Sequence, residues 1–141
     1  MAKRLSPRQI ARQLAVQTLY AWQVSGNALE AEAAHMVALR EGQSYDSEYL
    51  KQVLLGMEQV RNLDQLMTPF LSRRLEQVSP IELAVLRLSV WELEQRLDIP
   101  YRVVINEGIE LSKLFGAQDS HKFINGVLDQ VSKVVRREER R

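Results

Sequence analysis

The 141 residues suit a single domain, and with 45% of them hydrophobic the chain can bury a core rather than stay disordered. There is no cysteine, which excludes disulfides and thiolate metal sites, and no apolar run of about 18 residues to span a membrane. The basic start has no apolar stretch behind it and so does not read as a signal peptide, leaving the cytoplasm as the default location.

In chain order the signals are helical. Ser6-Pro7-Arg8-Gln9 is a helix start: Ser as N-cap, Pro at the first helical position, Gln reaching back. Ile10, Leu14, Ala15, Thr18, Leu19 and Trp22 follow at helical spacing, and Ser25-Gly26-Asn27 stops the run. A second amphipathic stretch covers Leu29 to Leu39 and ends near Gly42; a third starts near Asp46 with Tyr49, Leu50, Val53, Leu54, Met57 and Val60 as its stripe. A shorter helix is expected near Asp64–Leu75, broken at Pro69. Ser79-Pro80-Ile81-Glu82 predicts a second capping box, opening a helix apolar nearly all round and therefore central in a bundle. Asp98-Ile99-Pro100 ends it. Val103 to Phe115 is the next helix, closed by Gly116 as C-cap, and the last runs from about Ser120 into the tail. The expected fold is all-α: a compact bundle of six or seven helices.

The net charge of +1 hides an uneven distribution. Lys3, Arg4, Arg8 and Arg12 stand in the first 12 residues without an acid; residues 133–141 carry five cations against two acids; the stretch between has ten basic and sixteen acidic residues. Basic ends on an acidic body suit an anionic partner for the ends and a basic one for the body.

Catalytic constellations are weak. Asp119, Ser120 and His121 are consecutive, so their side chains diverge and form no triad. Glu32 and His35 have di-iron spacing, but the second half-site is missing, since Gln118 precedes His121 where a carboxylate is needed. Glu107 and Glu110 read as a solvated helix face, and Gly116–Lys122 lacks the second glycine and the Lys-Ser/Thr pair of a phosphate loop. No catalytic, metal or cofactor site is expected. Binding chemistry remains. Arg8 and Arg12 share a helix face at i, i+4, led by Lys3 and Arg4, as a strip for a phosphate backbone. Tyr20, two turns beyond Arg12, and Phe123, beside Lys122, are candidate stacking platforms for bases, against the alternative of core packing.

The run Pro100–Asp129 closely resembles the C-terminal signature of the NusB family of transcription antitermination factors. Glu82–Leu93 is similar to that family's buried helix, and Ala15–Tyr20 with Trp22 to its first helix. The resemblance implies an all-helical protein with two small helical subdomains that pairs with NusE, a small-ribosomal-subunit protein. The pair would bind the single-stranded boxA element of nascent ribosomal RNA and join RNA polymerase and other Nus factors. It further implies that Lys3, Arg4, Arg8 and Arg12, together with Asp119, Lys122 and Phe123, face RNA and NusE, with Glu82 at the NusE interface. Leu5, Ser6 and Pro7 interrupt the basic start, and Gly108 and Ser112 stand where alanine is frequent; that glycine is expected to cost ~1 kcal/mol of helix stability relative to Ala. The basic tail is expected to add nonspecific RNA affinity. Two rival readings are a stand-alone targeting domain of the ribosomal RNA methyltransferase type and a purely structural partner-binding protein. The first could not methylate alone, since the sequence carries neither a Rossmann-like domain nor a catalytic cysteine.

Overall fold

The structure, a computed structural model, describes residues 4–141. The described residues form seven α-helices and no strand: α1 Pro7–Ser25, α2 Leu29–Leu39, α3 Ser47–Gly56, α4 Val60–Met67, α5 Pro80–Gln95, α6 Tyr101–Phe115 and α7 Ser120–Val135. Short 3-10 turns stand at Met57–Gln59, Thr68–Phe70 and Leu75–Gln77. None of the helices is long and apolar enough to cross a membrane. The chain divides into two compact units, the first ending at Glu58 and the second spanning Gln59–Arg141.

In the first unit α1 lies against α2 and α3. Its start is fixed locally: the Ser6 hydroxyl accepts from Gln9 N–H at 3.1 Å while the Gln9 amide oxygen accepts from Ser6 N–H at 2.9 Å, so the expected capping box closes. Gly26 ends α1 in the left-handed region, φ 74°, as a residue without Cβ can. Ile10, Leu14, Ala15 and Leu19 of α1, Leu29 and Ala33 of α2, and Tyr49, Leu50 and Val53 of α3 are buried. Asp46 is the N-cap of α3, accepting from Tyr49 N–H, and its own N–H donates to Pro7 O at 3.0 Å, tying this loop to the start of α1.

In the second unit α5 is central. It touches α4, α6 and α7, and Ala84, Val85, Leu86, Leu88, Val90, Trp91 and Leu93 are buried around most of its circumference, leaving a half-buried stripe of Leu83, Arg87 and Glu94. Arg87 of α5 grips Asp64 of α4 through two bonds of 3.0 and 2.8 Å. The helix expected over 64–75 instead occupies 60–67: Pro69 has no N–H to return to Gln65, and the chain tightens into the turn at Thr68–Phe70. The second capping box is also different. Ser79 Oγ accepts from Glu82 N–H, but the Glu82 carboxylate accepts from the Ser79 hydroxyl and lies 3.7 Å from Arg73.

Gly108 corrects a simple propensity argument. A Cβ there would stand 3.0 Å from Leu128 Cδ1 and 3.0 Å from Ser89 Oγ, so the glycine lets α6 approach α5 and α7 closely. Alanine would gain ~1 kcal/mol of helix propensity, set against the cost of moving Leu128 and Ser89 aside by a few tenths of an ångström. Gly116 does cap α6, in extended rather than left-handed backbone, and a Cβ there would press on Ser112 O at 2.7 Å.

Candidate nucleic-acid interface

The predicted site residues fall in both units. In the first, Arg8 and Arg12 do share a face of α1, but the face meets α3. Arg8 is paired with Asp46 at 3.1 Å, its guanidinium 5.2 Å from the centre of the Tyr49 ring. Arg12 lies 5.5 Å from the same ring and is only 5% exposed. A guanidinium so covered has little surface left for a phosphate; it supports Tyr49 and, through it, Arg8. The acid that seemed missing from the basic start is supplied by Asp46, 38 residues away. Arg4 is exposed, and Lys3 lies outside the described residues.

Tyr20 is 42% exposed, which removes the core-packing alternative for it. A residue that sequence reasoning missed stands on the same helix face. Arg40, the C-cap of α2, donates from Nη1 to Gln13 Oε1 at 2.9 Å and from Nη2 to Gln17 Oε1 at 3.2 Å. Its signal was faint, a lone cation in an acidic stretch. Burial lowers its pKa from the usual arginine value.

In the second unit α7 begins from Asp119 in the left-handed region, φ 69°, the single non-glycine residue with positive φ among the described residues. The Asp119 side chain does not cap the helix; it lies 3.5 Å from Lys122 Nζ, and both side chains are largely exposed. Phe123 is half-buried, with the Arg73 guanidinium 4.3 Å above its ring. Arg73 thereby joins Phe123 to Glu82, whose residue is 8% exposed. The structure thus groups Asp119, Lys122, Phe123 and Glu82 through Arg73 and the α7 start, and Arg73 was not anticipated.

The C-terminal segment is tied to the helices of the second unit. Arg136 is 3% exposed and caps the end of α5: Nε donates to Leu93 O at 2.7 Å, and Nη2 to Glu92 O at 3.2 Å and Arg96 O at 2.9 Å. Glu139 pairs with Arg136 and accepts from Tyr101 N–H at 2.9 Å, supplying the N-cap that Pro100 cannot give α6. Arg140 reaches Asp129 Oδ1 at 2.9 Å and lies 4.6 Å from the Tyr101 ring centre. The Arg140 hydrogen bond holds the Asp129 carboxyl below its usual range. Burial pushes the Glu139 carboxyl up, but the Tyr101 N–H and Arg136 outweigh it and the net shift is downward.

No group of three or more His, Asp or Glu side chains suited to a metal occurs among the described residues. Glu32 instead accepts from Ser25 Oγ at 3.1 Å and Asn27 Nδ2 at 2.9 Å, which closes the loop before α2.

Residues 9–133 match the NusB family. The chain belongs to the NusB family. It is 51% identical over 133 residues to the transcription antitermination protein NusB of Hamiltonella defensa, covering 94% of this chain and 88% of that one. It is 48% identical to the NusB of Alcanivorax borkumensis, covering 93% and 88%. Among solved structures, NusB of T. maritima superposes with a TM-score of 0.84 at 29% identity, covering 96% of this chain and 98% of that one. The antitermination factors NusB and NusE in complex with dsRNA give 0.80 at 27% identity, covering 92% and 98%. NusB relatives are transcription antitermination proteins.

Proposed function

We propose that this protein is a non-enzymatic, RNA-binding antitermination factor that acts as one RNA- and protein-binding domain in the cytoplasm. With a NusE partner it binds the single-stranded boxA element of nascent ribosomal RNA and, with RNA polymerase and other Nus factors, supports processive transcription. The observation that carries this reading is the likeness of nearly the whole chain to a NusB solved together with NusE and RNA.

The side chains fit such work. Tyr20 offers an exposed ring, and Phe123 offers a ring edged by Lys122 and backed by Arg73. Flat rings next to cations are what single-stranded RNA needs, with each stacked base worth ~1–3 kcal/mol. Arg4 adds exposed positive charge ahead of α1, with Arg8 and Arg12 shaping that end, and Lys3 precedes it in the sequence. Glu82 and Asp119 are the acidic groups assigned to the basic partner.

The test is binding of a labelled boxA-like RNA, single-stranded and as a duplex, with and without NusE, across a salt series. The reading expects a large gain in affinity for the single strand on adding NusE and none for a scrambled RNA. Absence of RNA binding under both conditions leaves a helical partner-binding protein and overturns it.

A further inference from the structure

Gln13, Gln17 and Tyr20 lie within about 60° of one another around α1. Arg40 is held to this face by the two glutamines. Several other arginines anchored on the protein body meet a carboxylate: Arg8 meets Asp46, Arg87 meets Asp64, Arg136 meets Glu139 and Arg140 meets Asp129. Among the described residues no carboxylate lies within ion-pair distance of Arg40.

The hydrogen-bond direction sharpens the point. A guanidinium has donors only, so each glutamine must turn its oxygen to Arg40 and keep its NH2 for another acceptor. The face therefore presents the remaining N–H groups of Arg40, two amide NH2 groups and the Tyr20 hydroxyl beside an exposed ring. This is an excess of donors with an uncompensated positive charge. An anion with a flat, stackable neighbour satisfies both halves, and a nucleotide of single-stranded RNA is that ligand. An acidic peptide would answer the charge and leave the ring without a use.

We propose that Arg40 is an RNA-backbone contact, positioned by Gln13 and Gln17, with Tyr20 stacking the adjoining base. The assignment rests on the RNA-binding reading above. It also moves the phosphate contact along α1, away from Arg8 and Arg12, whose guanidiniums are engaged with Asp46 and Tyr49.

The experiment titrates a labelled boxA-like single strand with the full chain plus NusE over a salt series, for wild type, Arg40→Ala, Arg40→Lys and Gln17→Glu. Thermal melting is followed in parallel. Arg40→Ala should weaken binding about three- to tenfold and lower the slope of log K against log salt by about 0.7, one phosphate's worth for a single strand. Arg40→Lys should keep the slope. Gln17→Glu gives Arg40 the carboxylate it lacks, so it should weaken RNA binding as Arg40→Ala does while the melting temperature holds or rises. Because Gln17→Glu stays folded, it decides the matter if Arg40→Ala melts early. Wild-type affinity and slope in both Arg40→Ala and Gln17→Glu would overturn the Arg40 assignment and leave the RNA reading standing. A loss of NusE binding in Arg40→Ala without RNA present would make Arg40 a protein contact and overturn it too. Failure of the wild type to bind RNA overturns both.

Discussion

Arg12 near the start of α1 and Arg136 just past the end of α7 are the two buried arginines among the described residues, at 5% and 3% exposure. Arg12 lies beside the Tyr49 ring, with Arg8 near the same ring and paired to Asp46. Arg136 holds three main-chain carbonyls at the end of α5 and a carboxylate that in turn caps α6. The Tyr49 ring keeps its apolar packing when a cation leaves its face. Carbonyls at a helix end lose more: Leu93 O is left without a donor, Glu92 O and Arg96 O each lose one of two, and Glu139 loses its charge partner while keeping the Tyr101 N–H. The start of α1 is thus a braced surface, and the end of α7 is a structural clasp.

Four variants test that contrast, taken from the largest effect to the smallest. Arg136→Ala should cost about 3 kcal/mol in a urea unfolding titration, since it removes the donor of Leu93 O, the second donor of Glu92 O and Arg96 O, and the charge partner of Glu139. A cost under about 1 kcal/mol, the range of a surface pair, would make the segment a solvated tail after all. Arg12→Ala should cost about 2 kcal/mol, the upper range for a desolvated cation on a ring, and Arg8→Ala under about 1 kcal/mol because its ion pair is partly solvated. Equal losses for the two would show that Asp46 rather than Tyr49 dominates this corner. The smallest effect is with pH. Asp129 and Glu139 have folded-state pKa values below the usual ones, so their contribution is present above the unfolded values and is lost as pH falls through the folded ones. Melting temperature should therefore drop on acidification below about pH 4, and drop less in Asp129→Asn. The same fall in both proteins would remove Asp129 from the clasp.

What the sequence made legible was local. Ser6 with Gln9 and Ser79 ahead of Glu82 announce helix starts within four residues, and both helices begin there. The apolar run after Glu82 announces a helix buried nearly all round, and α5 is buried on all but one stripe. What stayed hidden depends on residues far apart in the chain. Nothing near Arg8 reveals Asp46, and nothing near Arg136 reveals the carbonyls of Leu93 and Arg96. Arg73 diverts the Glu82 carboxylate from the expected reciprocal cap, and it too is invisible to spacing rules. The candidate site was read by residue type and by family resemblance. Which of its cations are spoken for emerged from the fold.

The clasp at Arg136 and Glu139 also sets an order of events during synthesis. The bonds that finish α5 and α6 join residues 43 and 38 positions apart, whereas the Arg8–Asp46 and Arg40–Gln13 bonds of the first unit are complete by residue 46. As the chain leaves the ribosome, the first unit has all its own contacts while α5 and α6 still carry open helix ends. A nascent chain halted just short of Arg136 would hold every helix of the second unit and neither of its two closing caps. For chaperones and proteases, Arg136 and Glu139 separate a second unit with open helix ends from one whose ends are capped.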